Sequence, residues 1–197
     1  LERARLEAGQ TILIHAAAGG VGHIALQLAR NLGARIAVSI SDEHKAAIAK
    51  DFGAEKIINY RQQDFVAETL AWTNGKGADV VFDTVGGETF LRSLNAVRYG
   101  GKLVSLLSTP LSLADAQLAR LRNLSLCYEL MLTPQLMKLH DERVRQRRIL
   151  EQGAKLADTG KLQVLIGKTL PLADAAGAHR LIEQGGISGK IVLTMQD

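Results

Sequence analysis

An apolar run, Thr11 to Ile14, leads directly into "HAAAGGVGHIALQLAR", His15 to Arg30, where adjacent glycines and a third at Gly22 precede apolar residues at helical spacing. A strand that must become a helix so abruptly needs backbones that approach closely, either a neighbouring strand or a ligand such as a phosphate. The pattern predicts a buried strand, a tight turn and an amphipathic helix in fixed order.

The same rhythm repeats as far as Thr133. "TILIHA" reads as a strand, and Val21, Ile24, Ala25, Leu28 and Leu32 recur at helical spacing until Gly33 ends the helix. "RIAVSIS" is a second strand. Ser41 or Asp42 caps the next helix, which carries Ile48 and Phe52 and meets Gly53. "KIINY" is a third strand, a helix runs from Asp64 to Trp72, and "DVVFDTV" is an apolar strand of the kind covered on both faces. Glu88 to Arg98 reads as a helix that "YGG" stops, "KLVSLL" as a fifth strand and "SLCYELM", 125–131, as a sixth. This alternation predicts an α/β fold, a doubly wound parallel sheet of six strands with right-handed crossovers.

Beyond Thr133, an expected N-cap with Pro134 in first helical position, a polar-rich helix is expected to run toward Gly160 with a break near Gly153. The last segment has two strand-like runs flanking a helix from Leu172 to Gln184, outside the earlier rhythm. Residues 1–133 are therefore expected to form one domain, and 134–197 a long helix and a piece of a second domain. "LERARLEAGQ" reads as the end of a helix, which predicts that the chain is part of a longer protein.

A net charge of +4 permits a polyanionic partner, but the densest basic run, "ERVRQRR", lacks the interleaved aromatics that stack on bases, so a solvated helix face is favoured over a nucleic-acid patch. The sole cysteine, Cys127, lies in a predicted strand and reads as an inert buried thiol. A lone cysteine, no apolar stretch of membrane-spanning length and no signal-like start together predict a cytoplasmic location and no membrane partner.

A dinucleotide fold needs a tight turn after its first strand, a glycine where the diphosphate approaches and a small residue where helix meets sheet. Reading G-x-G-x-x-G onto Ala17, Gly19 and Gly22 meets these needs with alanine in the first place. Gly20 and Val21 then present N–H groups at the positive end of the helix. At the end of the second strand, where an acid would bind an unphosphorylated ribose, stands Ile40, with neutral Ser39 and Ser41 beside it. Lys45 follows one helical turn later, and Tyr60 with Arg61 ends the neighbouring strand. Ser41 and Lys45 suit a 2′-phosphate, with Tyr60 near the adenine, so NADP is favoured over NAD. Asp42 would exclude a phosphate in a register two residues longer, and equally suits a helix N-cap.

The segments "GQTILIHAAAGGVGHIALQLARNLGA", "FGAEKIINY", "GADVVFDTVGG", "GGKLVSLLS" and "GKIVL" resemble, in order and spacing, the medium-chain dehydrogenase/reductase superfamily, in its zinc-independent quinone oxidoreductase branch related to ζ-crystallin. The resemblance implies a Rossmann cofactor domain with Gly19 to Gly22 on the diphosphate and Ser41, Lys45 and Tyr60 around the adenosine phosphate. It also implies Val85 and Gly86 on the nicotinamide side, with Leu106 and Leu107 beside them. It further implies an N-terminal domain that this sequence does not contain, and a homodimer in which the 125–131 strand pairs with its copy.

Other chemistries find no support in the residues. The five histidines, His15, His23, His44, His140 and His179, show no metal-ligand spacing, and no metal site is expected. Tyr60, Tyr99 and Tyr128 are followed four positions on by Asp64, Leu103 and Leu132 rather than the lysine of a short-chain dehydrogenase. "GKT" at Gly167 lacks the upstream glycine of a P-loop. The expected function is NADPH-dependent hydride transfer to a quinone or another electron-poor double bond, with no catalytic residue assignable. The rival expectations are an enoyl reductase for an α,β-unsaturated carbonyl or thioester, and a noncatalytic NADPH- or RNA-binding protein.

Overall fold

Ile12, Leu13 and Ile14 have no exposed surface, which puts β1 (Thr11–His15) in the middle of a sheet covered on both faces. The computed structural model describes residues 2–195. Six parallel strands lie in the order β3-β2-β1-β4-β5-β6, with β2 at Arg35–Ile40, β3 at Lys56–Asn59, β4 at Ala78–Asp83, β5 at Val97–Ser105 and β6 at Ser125–Tyr128. The doubly wound sheet expected from the sequence is present. Its order reverses between β1 and β4, and the carboxyl ends of these strands frame the crevice where such sheets take ligands.

Side-chain alternation along the strands divides the core in two. Ile12, Ile14, Ile36 and Val38 pack with Leu26 and Ala29 of α1 (Gly22–Asn31), close to α2 (Glu43–Asp51). On the other face Leu13, Ala37 and Ile58 pack with Phe65 of α3 (Phe65–Trp72) and with Phe90 and Leu94 of α4 (Gly87–Ala96). Each fully buried Val, Leu, Ile or Phe side chain among them contributes roughly 1.5–3 kcal/mol.

Several boundaries differ from expectation. The helix expected to reach Arg98 stops at Ala96, because Val97 pairs with Ala78 and opens β5 ahead of an irregular stretch that rejoins the ladder at Lys102. A helix not anticipated, α5 (Leu113–Leu121), starts from a capping box in which Ser112 and Asp115 bond reciprocally. The strand expected over 125–131 is confined to Ser125–Tyr128. Thr133 is the first helical residue, not the cap, of the one-turn α6 (Thr133–Leu136). The chain breaks at Lys138, whose φ is +55°, and α7 (His140–Asp158) runs through Gly153 unbroken. Glu2 to Arg5 form a turn rather than a helix end; Leu1, Gln196 and Asp197 lie outside the described residues.

Along α1 the repeat Ile24, Leu28 and Leu32 does not face the sheet. These residues line a cleft of about 710 Å³ shared with Ile149, Leu150 and Leu156 of α7. The last segment builds its own pair of parallel strands, β7 (Ile166–Pro171) and β8 (Lys190–Thr194), joined through α8 (Ala175–Gln184). Gln27 of α1 ties this lobe to the main sheet: its amide donates to Gln163 O and accepts from Gln163 N–H, at 2.9 and 2.8 Å.

Candidate dinucleotide site

The turn after β1 is left-handed at Ala16, φ +50°, one residue before the position assigned to the first glycine of the motif. Gly19 N–H donates to Ala16 O at 2.9 Å and closes the turn. A Cβ on Gly22 would overlap the Ala16 carbonyl and lie 2.6 Å from Ala17 Cα, so Gly22 is the residue that lets α1 sit against the turn. At Gly19 a Cβ would be 3.1 Å from Ala16 O, a milder crowding.

Among the described residues, the N–H groups of Gly20 and Val21 meet no protein acceptor, and Val21 caps α1 without a side-chain bond. Open donors at a positive helix end form an anion site. One residue missed in the sequence completes it. A Cβ on Gly20 would come within 3.1 Å of Lys190 Nζ, so the ammonium at the start of β8 stands over the glycine turn. Both line a cavity of about 360 Å³ with Ile182, Gly185 and Gly186.

The same turn is stitched to the C-terminal lobe. Gly189 N–H donates to Ala18 O at 2.8 Å. His23 faces the Gly19 carbonyl through Nδ1 at 2.7 Å and the Leu165 N–H through Nε2 at 3.1 Å. Those partners fix a neutral ring protonated on Nδ1. Burial holds its pKa below the ordinary histidine value, opposed by the Gly19 bond and aided by the Lys190 charge.

At the end of β2, Ser41 is buried and Lys45 Nζ donates to its Oγ at 2.8 Å. Tyr60 N–H donates to Ile40 O at 3.1 Å, which sets the residue next to the end of β2, and Tyr60 is half exposed. Asp42 is the observed cap of α2, accepting from Lys45 N–H at 3.0 Å. Ile40 itself is buried in the core.

The expected nicotinamide-side residues are held by one buried carboxylate that the sequence did not single out. Asp83, the last residue of β4, accepts from Val85 N–H and Gly86 N–H at 3.0 Å each and from Ser105 Oγ at 2.7 Å. Ser105 Oγ in turn accepts from Leu107 N–H at 3.1 Å, and Leu106 N–H donates to Asp83 O at 3.2 Å. Val85, Gly86, Leu106 and Leu107 thus form one cluster, in which Gly86 has φ +75° and a Cβ there would crowd Leu107.

His15, at the tip of β1, is wholly internal. Ser93 Oγ donates to Thr89 O at 2.6 Å, so it accepts from His15 Nε2 at 3.0 Å, leaving Nδ1 to accept from Ser39 Oγ at 2.8 Å.

Residues 52–193 match the family described as zinc-binding dehydrogenase. A 2-haloacrylate reductase from Burkholderia sp is 36% identical over 98% of this chain and 57% of its own length. The quinone oxidoreductase of Pseudomonas aeruginosa is 32% identical over 95% of this chain and 57% of its own. The chain belongs to the medium-chain dehydrogenase/reductase superfamily, quinone oxidoreductase-like branch. A mycobacterial member solved with NADPH superposes with a TM-score of 0.82 at 30% identity, over 96% of this chain and 58% of that one. The chain spans somewhat over half the length of these relatives. The family's description names zinc, yet among the described residues no group of three or more His, Cys, Asp or Glu side chains is placed to hold a metal ion, so these residues do not fit a zinc site.

Proposed function

We propose that this chain is the cofactor-binding part of an NADPH-dependent oxidoreductase that delivers hydride to a quinone or another electron-poor double bond. The observation that carries this reading is the pair of open N–H groups at Gly20 and Val21 with Lys190 above them. Those groups hold the diphosphate, Ser41 and Lys45 take the 2′-phosphate, and Tyr60 lies along the adenine. Bound in this way, the nicotinamide supplies the hydride. Val85, Gly86, Leu106 and Leu107 orient its ring, and Asp83 fixes their backbone. Residues 1–133 form the cofactor domain in this reading, and 134–197 the helix and return segment of a second domain.

Titration calorimetry with NADPH and NADH tests the assignment. Lys45→Ala is expected to weaken NADPH by about 1 to 3 kcal/mol, the range for a hydrogen bond to a charged group, and to leave NADH nearly unchanged. Equal losses for both cofactors would place Lys45 outside the 2′-phosphate site.

Reduction of a conjugated alkene is the second reading, favoured by the similarity to a 2-haloacrylate reductase, whose named substrate is an alkene conjugated to a carboxylate. An RNA-binding role gains less support, since on α7 Arg145 pairs with Glu2 and Glu142, and Arg147 with Glu151. A cytoplasmic location belongs to the same proposal; no described helix is long and apolar enough to cross a membrane.

The β6 edge supports a homodimer. It is the outer strand of the sheet, and Leu130, Met131, Leu136 and Met137 beyond it are exposed. An uncovered edge of this kind favours pairing with a copy of itself. Light scattering is expected to give twice the chain mass; a monomer at high concentration would overturn the pairing.

A further inference from the structure

The cradle assigned to the 2′-phosphate already holds an anion, and that anion is part of the chain. Ser41 Oγ donates to Asp42 Oδ2 at 2.7 Å. Lys45 Nζ lies 3.1 Å from the same oxygen while it donates to Ser41 Oγ. The carboxylate therefore engages both side chains that a phosphate would need. It is also anchored, because its other oxygen caps α2 through Lys45 N–H. The lysine has little freedom to serve two anions, since its side chain is only 18% exposed.

We infer that Asp42 is a specificity-determining residue that competes from within the chain for the 2′-phosphate of NADPH. Binding NADPH requires Ser41 and Lys45 to be shared with, or taken from, the carboxylate, and sets two negative groups close together. Binding NADH requires neither. Asp42 thus narrows the preference that Ser41 and Lys45 create, and the chain accepts both cofactors more evenly than those two residues alone predict. Mild acid does not relieve the competition: bonds from Lys45 N–H, Ser41 and the Lys45 ammonium hold the Asp42 carboxyl well below the usual carboxylate range. This inference rests on the cofactor site proposed above.

Asp42→Asn tests it, because the amide oxygen still caps α2 while the charge is gone. Calorimetry on the full 197-residue chain is read with NADPH, NADH, adenosine 2′,5′-bisphosphate and 5′-AMP as probes. Affinity for NADPH and the bisphosphate is expected to rise about tenfold, from loss of a like charge within contact distance, with NADH and 5′-AMP changing by less than about twofold. A fall in NADH affinity with NADPH unchanged would overturn the inference and make Asp42 a ribose acceptor, leaving the dinucleotide site intact. Unchanged affinities for all four probes would also overturn it. No binding of any probe by either the parent or the variant chain would instead refute the site itself. If circular dichroism shows that Asp42→Asn loses helix, Asp42→Ser, another capping residue without charge, carries the same expectations.

Discussion

Asp83→Ala is expected to cost about 2 to 4 kcal/mol of folding stability, because the substitution strands the buried N–H of Gly86 and the part-buried N–H of Val85, at about 1–3 kcal/mol for a buried group without a partner, and leaves a cavity beside Ser105. NADPH binding should fall with it, since the segments around Gly86 and Leu107 lose their common anchor. Asp83→Asn separates charge from geometry. Its amide oxygen still accepts from Val85 and Gly86, and its NH2 can donate to Ser105 Oγ, freeing that hydroxyl to turn to Leu107 O, 3.0 Å away. Urea unfolding should therefore show Asp83→Asn recovering more than half of the loss. A cost below about 1 kcal/mol for Asp83→Ala would mean that the loop holds its shape without the carboxylate.

The second large effect is a loss of stability in mild acid that runs through His15. Burial pushes this histidine down to about 4, against a smaller upward pull from the Asp83 charge. Its folded value thus lies below the unfolded value near 6.5, so the unfolded chain binds more protons as pH falls between the two. Stability that is complete above about pH 6.5 is lost on the way down to pH 4, by about 3 kcal/mol over that span. His23, also held below its ordinary value by burial, acts in the same direction. Urea unfolding at a series of pH values from neutral to acid should show this slope, and His15→Gln should remove most of it. An unchanged slope in that variant would assign the acid sensitivity elsewhere.

The sheet was legible because its strands are covered on both faces: "TILIH" and "DVVFD" are apolar with little interruption, and glycines or caps bound each unit. What failed to show had weak or distant signals. Helix α5 buries only Ala119, and its end residues Leu113 and Leu121 are 77% and 78% exposed, so no apolar stripe announces it. The Ser112/Asp115 spacing was the available sign. The helix over 140–158 runs through Gly153, where a Cβ would meet open space, so the glycine serves no close approach and costs the helix only about 1 kcal/mol of propensity.

For the site, local sequence reaches only as far as local geometry. The groups proposed at Gly19 to Gly22 and at Ser41 to Lys45 each lie within one short stretch of chain, so their geometry is local and their grouping is legible from the sequence. Asp83 looks like the end of an apolar strand, and no neighbouring residue reveals that its carboxylate bends back to Val85 and across to Ser105. Lys190 joins Gly20 only because β8 returns to the turn after β1. Asp42 reads from the sequence as a cap or as an obstacle to a phosphate; the structure shows the cap, and its bond to Ser41 and pairing with Lys45 are the ground of the competition proposed above.

The small β7–β8 sheet has a kinetic consequence. A two-stranded sheet has little stability of its own, and most of β7 is exposed, so this lobe opens at a fraction of the free energy that unfolds the main sheet. The connections that resist its opening include Gly189 to Ala18, Leu165 to His23 and the two amide bonds of Gln27. Because Lys190 belongs to the lobe and Gly20 to the turn, an anion bound there in the proposed cofactor site would lose the Lys190 ammonium whenever the lobe lifts. Residence time of a bound dinucleotide would then be timed by this short tail, with the six-stranded sheet standing still.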